Sequence, residues 1–346
     1  MNPHTPSSNP HPLNKNTQSS LSSGKKLNDN NGGNTAAGSF FKKITLFSAI
    51  LTWPLISFGT YVRLKGAGLS CPDWPLCYGK IIPPEGFKIA LEVGHRFLAS
   101  FLGLSITVLL ILSSYKPQYK SYRRFTIALF LLVVIQGILG GMTVLMKLSP
   151  PTVVFHLLGG NLLFSLLIYL SYSAYSDSRG QGPHQPDPPV LTWHSKMLGL
   201  MLIIIFVVIV SGGANSSTYS GYACSAFPGC QPGSLLSFHS GNMVGEGNFL
   251  PRFQNEWIHM IHRLTAIVGA FALAVLTWLV LFRRRDGAYR LHALAIWSLL
   301  SIEIILGILN AVFHIPVPIS AAHTAVAATI VGLLSYSLAK SIHESH

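Results

Sequence analysis

Four histidines, His95, His156, His262 and His323, stand inside long apolar stretches of this 346-residue chain. An ionisable side chain in hydrocarbon is costly and marks a functional site by default. Their spacing repeats: His95 to His262 is 167 residues, and so is His156 to His323. A lone intramembrane histidine is commonly a satisfied polar contact, but four at repeat-equivalent positions predict two imidazole pairs. Two imidazoles facing each other from matched depths are axial ligands for a haem iron, and bundle cores are where such sites are built. Four residues after each histidine comes a small one: Ala99, Gly160, Ala266 and Ala327. The i+4 residue shares the helix face, and a flat macrocycle needs that face cleared. Small residues are also common wherever membrane helices approach closely.

The two pairs are not alike. Glu92 precedes His95 by three residues, on the same helix face, and its repeat mate is His259. A carboxylate over one site and none over the other suggests a proton donor or acceptor in the N-terminal half. The alternative is that Glu92 caps its helix or pairs with a loop lysine. Arg96 and Arg263 each follow a site histidine. Inside a membrane edge they need anionic partners, which haem propionates supply; snorkelling to headgroups is the other reading. Gln136 and Glu303 are again 167 apart, and either hydrogen-bond between helices or line the sites. His239, His292 and His314 sit in or near loops and read as solvated.

These side chains need eight membrane spans to position them. The chain is 49% hydrophobic and 10% charged, against about 25% charged in soluble domains. Apolar runs near the roughly 20 residues that cross hydrocarbon fall at about 41–61, 89–114, 124–146, 152–175, 193–213, 256–282, 290–312 and 317–340. The net charge of +13 does not point to nucleic acid, because the basic residues flank those runs. Sixteen Lys and Arg fall on the side of the termini and six on the other, so both termini are expected to be cytoplasmic. The fold class is all-α integral membrane, with two tandem four-helix bundles in parallel repeat. The expected organisation is a disordered cytoplasmic tail at 1–38, an N-terminal half at 39–176, a linker at 177–192 and a C-terminal half at 193–342. The tail is rich in Ser, Asn, Gly and Pro and cannot bury enough surface to order itself. It holds no signal-peptide stretch, which leaves the first span as an uncleaved targeting signal.

All four cysteines lie in the two long outward loops, Cys71 with Cys77 and Cys224 with Cys230. An oxidising compartment makes a disulfide in each loop the favoured reading over free thiols or a metal clip.

Taken jointly, E-x-x-H-R at 92–96, H-R at 262–263, F-H-x-x-G-G at 155–160, A-A-H-T at 321–324 and the paired loop cysteines resemble the haem A synthase family, CtaA/COX15-like, over residues 41–340. The resemblance implies oxidation of the C8 methyl of haem O to a formyl, giving haem A for cytochrome oxidase. It implies His95 and His156 as substrate-haem ligands, Glu92 as the acidic catalytic residue, and one haem b between His262 and His323 as electron carrier. It also links Cys71 and Cys77 to activity. Implied partners are membrane lipid, a haem O synthase that hands over substrate, and an electron donor, with a homo-oligomer left open; the setting is the cell inner (plasma) membrane. The competing reading from the residues is a quinol-linked di-haem b electron-transfer protein without chemistry on haem. A transporter suits the repeat less well, because helix breaks are not concentrated at mid-membrane.

Overall fold

The computed structural model describes residues 31–177, 192–224, 226–231, 252–284 and 286–344. Most of the expected tail, the expected linker and His239 lie outside the described residues. Among those described, eight helices are long and apolar enough to cross a membrane: α1 Asn31–Leu64, α2 Phe87–Tyr115, α3 Arg123–Leu145, α4 Pro150–Asp177, α5 Trp193–Ser217, α6 Arg252–Thr277, α7 Gly287–Val312 and α8 Val317–His343. A wider π turn, Trp278–Phe282, extends α6. Each helix agrees with its expected span to within a few residues. The exception is α1, which starts at Asn31, inside the stretch assigned to the tail. Once the apolar run nucleates the helix, propagation back through Thr35, Ala36 and Ala37 adds about one hydrogen bond per residue fixed.

Local chemistry sets the helix ends. The Thr192 hydroxyl accepts from Ser195 N–H and caps α5. The Asp286 carboxylate accepts from Ala288 N–H and caps α7. The α3–α4 turn passes through two left-handed residues, Lys147 and Leu148, and the α7–α8 turn through two more, His314 and Ile315. Leu148 N–H donates to Thr143 O at 2.7 Å, and Ile315 N–H to Asn310 O at 2.9 Å. Every residue here is 167 from its mate, so the repeat extends to backbone conformation. It reaches the far end too: Tyr122 donates to Asp177 as Tyr289 does to Glu344.

Gly38–His346 forms one compact unit holding two apolar cores. One is built on Leu102, Ile106, Leu129, Leu163 and Leu167 with α1; the other on Leu198, Met201, Leu273, Ile296 and Leu334. Both lie on the side of the histidines away from the cysteine loops. The halves also share surfaces. α4 packs on α5 and on α8, Ser165 meets Ser335 at 2.7 Å, and the Trp53 indole donates to Thr329 Oγ1 at 2.9 Å. Arg63 donates to Ser216 O at 3.0 Å. Interhelical polar links of this kind are worth on the order of 0.6 kcal/mol each, so they support the fold by their number. His292 is half-buried rather than fully solvated as expected: on α7, its ring meets Tyr336 of α8 edge-on, with centroids 5.2 Å apart.

Candidate functional site

Each site imidazole lies against a glycine of the preceding helix. A Cβ added at Gly59 would stand 3.1 Å from His95 Cε1, at Gly140 3.3 Å from His156 Cε1, at Gly212 3.0 Å from His262 Cε1, and at Gly307 3.6 Å from His323 Cε1. The first three distances are shorter than comfortable van der Waals contact, so those rings occupy the space a side chain would fill. The sequence reading missed these glycines as ring seats. Gly140 and Gly307 sit in the repeated QGILGG and EIILGI segments, but nothing in one strip of sequence says which face of α3 or α7 meets a histidine.

The site histidines of α2 and α6 each have one of the other two near them. His95 lies within electrostatic reach of His156, and His262 of His323. Their helices are nonetheless not packed together: among the described residues, α2 makes no substantial interface with α4, nor α6 with α8. Just beyond His95, residues 97–101 are exposed on every side of α2, and Ala99 is among them. Nδ1 of His95 and of His156 is buried, which leaves Nε2 as the nitrogen that would bind an iron. Half-buried imidazoles carried on helices that make no substantial interface with each other, above a closed core, fit a haem in each half.

The surroundings of the rings differ between halves. His262 Nδ1 lies 3.0 Å from the Ser211 hydroxyl, which also meets Thr265 Oγ1 at 2.8 Å. In the N-terminal half Phe58 takes the place of Ser211, its ring centroid 5.9 Å from that of His95. His323 Nδ1 stands 3.2 Å from Glu303 Oε1, a charge-assisted distance without the alignment of a full hydrogen bond. Its counterpart His156 has no carboxylate. Gln136 lies instead over Gly159, where an added Cβ would clash with its amide.

Glu92 is only 4% exposed, and both its oxygens are engaged. Cys71 N–H donates to Oε2 at 2.8 Å, and Arg96 Nη2 to Oε1 at 2.6 Å. Arg96 Nη1 donates to the carbonyls of Asp73 at 3.0 Å and Leu76 at 2.7 Å. Arg263 mirrors this with the carbonyls of Ala226, Pro228 and Gly229 at 2.9, 3.0 and 2.7 Å, and its Nε donates to His259 at 3.2 Å. Neither the propionate nor the snorkelling reading anticipated this: each guanidinium clasps a cysteine loop. Within the loops Cys71 is bonded to Cys77 and Cys224 to Cys230.

Asp73 closes the first loop by accepting from the N–H of Tyr78 at 2.7 Å and Gly79 at 2.8 Å. The Gly79 N–H above all holds its carboxyl below the usual carboxylate range. A depressed folded value means the turn is fully supported above the ordinary aspartate range and loses support as pH falls through the depressed value. The second loop has Ala226 at the matching position. Reduction of Cys71–Cys77 by a phosphine is therefore expected to accelerate in acid relative to Cys224–Cys230. Asp73→Asn should abolish that difference, and mass spectrometry of the alkylated loops reads both rates.

Similarity to known proteins agrees with this arrangement. A family model described as a cytochrome oxidase assembly protein, COX15-CtaA, matches residues 42–90 and 85–335. The chain is 32% identical over 318 residues to the haem A synthase of Shewanella oneidensis, covering 83% of this chain and 92% of that protein. It is 24% identical over 302 residues to that of Symbiobacterium thermophilum, covering 85% and 93%. It is also 24% identical over 323 residues to that of Neorickettsia sennetsu, covering 82% and 94%.

Proposed function

The chain belongs to the COX15-CtaA family of cytochrome oxidase assembly proteins, and on that footing we propose how its halves divide the work of converting haem O to haem A. It is a multi-pass membrane oxidoreductase of the haem A synthase type. The N-terminal half receives haem O, with His95 and His156 as its ligands and Glu92 as the acid beside it. The C-terminal half holds one haem b between His262 and His323. A haem b there supplies one-electron transfer; the protein's part is to seat its ligands on Gly212 and Gly307 and to exclude water with the core beneath.

The observation that carries this division is the exchange of Glu92 for His259 at otherwise equivalent places. A symmetric electron relay needs no such difference. Arg263 Nη2 is buried without a partner, so it keeps a donor for a propionate, whereas both terminal nitrogens of Arg96 are engaged by the first loop and Glu92. Exposed apolar side chains around α2, Phe97 and Phe101 among them, suit entry of a farnesylated haem from lipid. The bias of sixteen basic residues to six supports cytoplasmic termini in a plasma membrane. An electron donor, transfer from a haem O synthase and a homo-oligomer complete the proposal.

The test is extraction of haems from protein purified out of cells that make haem O. Haem B with haem O or haem A is the expected result. Two haem B per chain and no conversion of haem O would establish the electron-transfer alternative instead.

A further inference from the structure

We propose that Glu303 is a positioning residue that locks His323 as a strong axial ligand, and that the N-terminal half lacks this lock so that its haem can leave. This rests on the assignment of His262 and His323 to the resident haem. The half that keeps its haem and the half that must release its product have opposite needs, and the side chains around the rings differ accordingly.

In the C-terminal half both outer ring nitrogens have a side-chain partner: Ser211 for His262 at 3.0 Å and Glu303 for His323 at 3.2 Å. A carboxylate or hydroxyl on the outer nitrogen fixes the tautomer, holds the ring's rotation and makes the ligating nitrogen a stronger donor. In the N-terminal half neither ring has a side-chain partner: the Gln136 backbone lies beside His156, as the Glu303 backbone does beside His323, but no carboxylate is added to it. Phe58 replaces Ser211, and His95 Nδ1 is buried without a hydrogen bond. Gln136 replaces Glu303, and its side chain is turned away.

The reason it turns away lies one helix over. Gly159 leaves a hollow that the Gln136 amide fills, to the point that a Cβ there would collide with its nitrogen. The equivalent of Gly159 is Val326, which is packed against the C-terminal core. With that hollow filled, the Glu303 side chain has no such refuge and stands at His323. Two exchanges, Gln for Glu and Gly for Val, thus convert an unlocked ring into a locked one within the same backbone.

The test uses the full-length protein with its haem. In Glu303→Gln the amide is a weaker acceptor and carries no charge. The midpoint potential of the C-terminal haem is expected to rise by about 59 mV, a tenfold loss of preference for the ferric state. Its transfer to excess apomyoglobin should quicken on the order of 10- to 100-fold. The reciprocal change, Gln136→Glu with Gly159→Val, should slow haem transfer from the N-terminal half by a similar factor. Unchanged potential and unchanged transfer in Glu303→Gln, with His323→Ala losing its haem, would overturn the lock while leaving the ligand assignment intact. Full haem retention in His323→Ala would instead remove the assignment. If Glu303→Gln is isolated without haem, the reciprocal variant decides: slower transfer upholds the lock and unaltered transfer overturns it.

Discussion

Replacing Glu92 with glutamine is expected to lower haem A output by about 10²- to 10⁴-fold, the range for loss of a positioned proton donor or acceptor. The C-terminal haem should keep its spectrum, and haem O or a hydroxylated intermediate should accumulate. Glu92 sits one turn before His95 and is almost wholly buried, so no bulk water stands in for it. Two duties must be separated, because its oxygens also tie the cysteine loop through Cys71 N–H and Arg96. Glutamine keeps an oxygen for the Cys71 N–H at nearly the same volume, gives up the Arg96 contact because its NH2 cannot accept, and does not exchange a proton near neutrality. Alanine removes both duties. Glu92→Ala is therefore expected to show the same block and, in addition, faster reduction of Cys71–Cys77. Haems extracted from cells with a haem O supply, resolved by chromatography, read the first effect. Normal haem A output from the glutamine variant would reduce Glu92 to a tether for the loop.

The spans, the repeat and the four histidines were legible because they are written in residue type and interval. Apolar length is a property of a segment, and an intramembrane histidine stands out against leucine whatever surrounds it. What stayed hidden depends on a second element. Arg96 and Arg263 were matched to propionates, and the structure adds carbonyls of the cysteine loops as partners of both and the Glu92 carboxylate as a partner of Arg96. Any residue supplies a carbonyl, so the partner has no signature. Gln136 and Glu303 were visible as a pair, but the meaning of the exchange lies in Gly159 and Val326, which carry no chemistry themselves. The four ring-seating glycines were hidden for a similar reason. Glycine is frequent in membrane helices, and only the register between neighbouring helices distinguishes a seat from ordinary close packing. The small residues chosen from the sequence, Ala99 and its mates, lie one turn beyond each ring; the glycines are the residues in contact with the ring itself.

Those seats carry the second large effect. Gly212→Val is expected to strip the resident haem from most molecules although no ligand or propionate contact is altered. A Cβ at Gly212 already comes within 3.0 Å of His262 Cε1, and valine adds two methyls. Either α5 retreats or the ring turns. Retreat is opposed because α5 is held on α4 at the next residue: a Cβ at Gly213 would lie 3.2 Å from Leu157 Cδ2. The ring therefore turns, breaks its contact with Ser211 and leaves the axis on which it would meet iron. Overpacking of this kind costs about 1–3 kcal/mol, or roughly 5- to 150-fold in occupancy when the strain is relieved by losing the ligand. The other seats provide an internal scale. Alanine at Gly212, Gly59, Gly140 and Gly307 approaches its ring to 3.0, 3.1, 3.3 and 3.6 Å, so haem loss should decline in that order, and Gly307→Ala should be nearly silent. Gly59→Val should empty the N-terminal site while the C-terminal spectrum survives. Haem-to-protein ratios from pyridine haemochrome spectra, which distinguish haem B from haem O, measure all of these. A Gly212→Val protein with a full complement of haem B would show that the ring is held by something other than the notch beneath it.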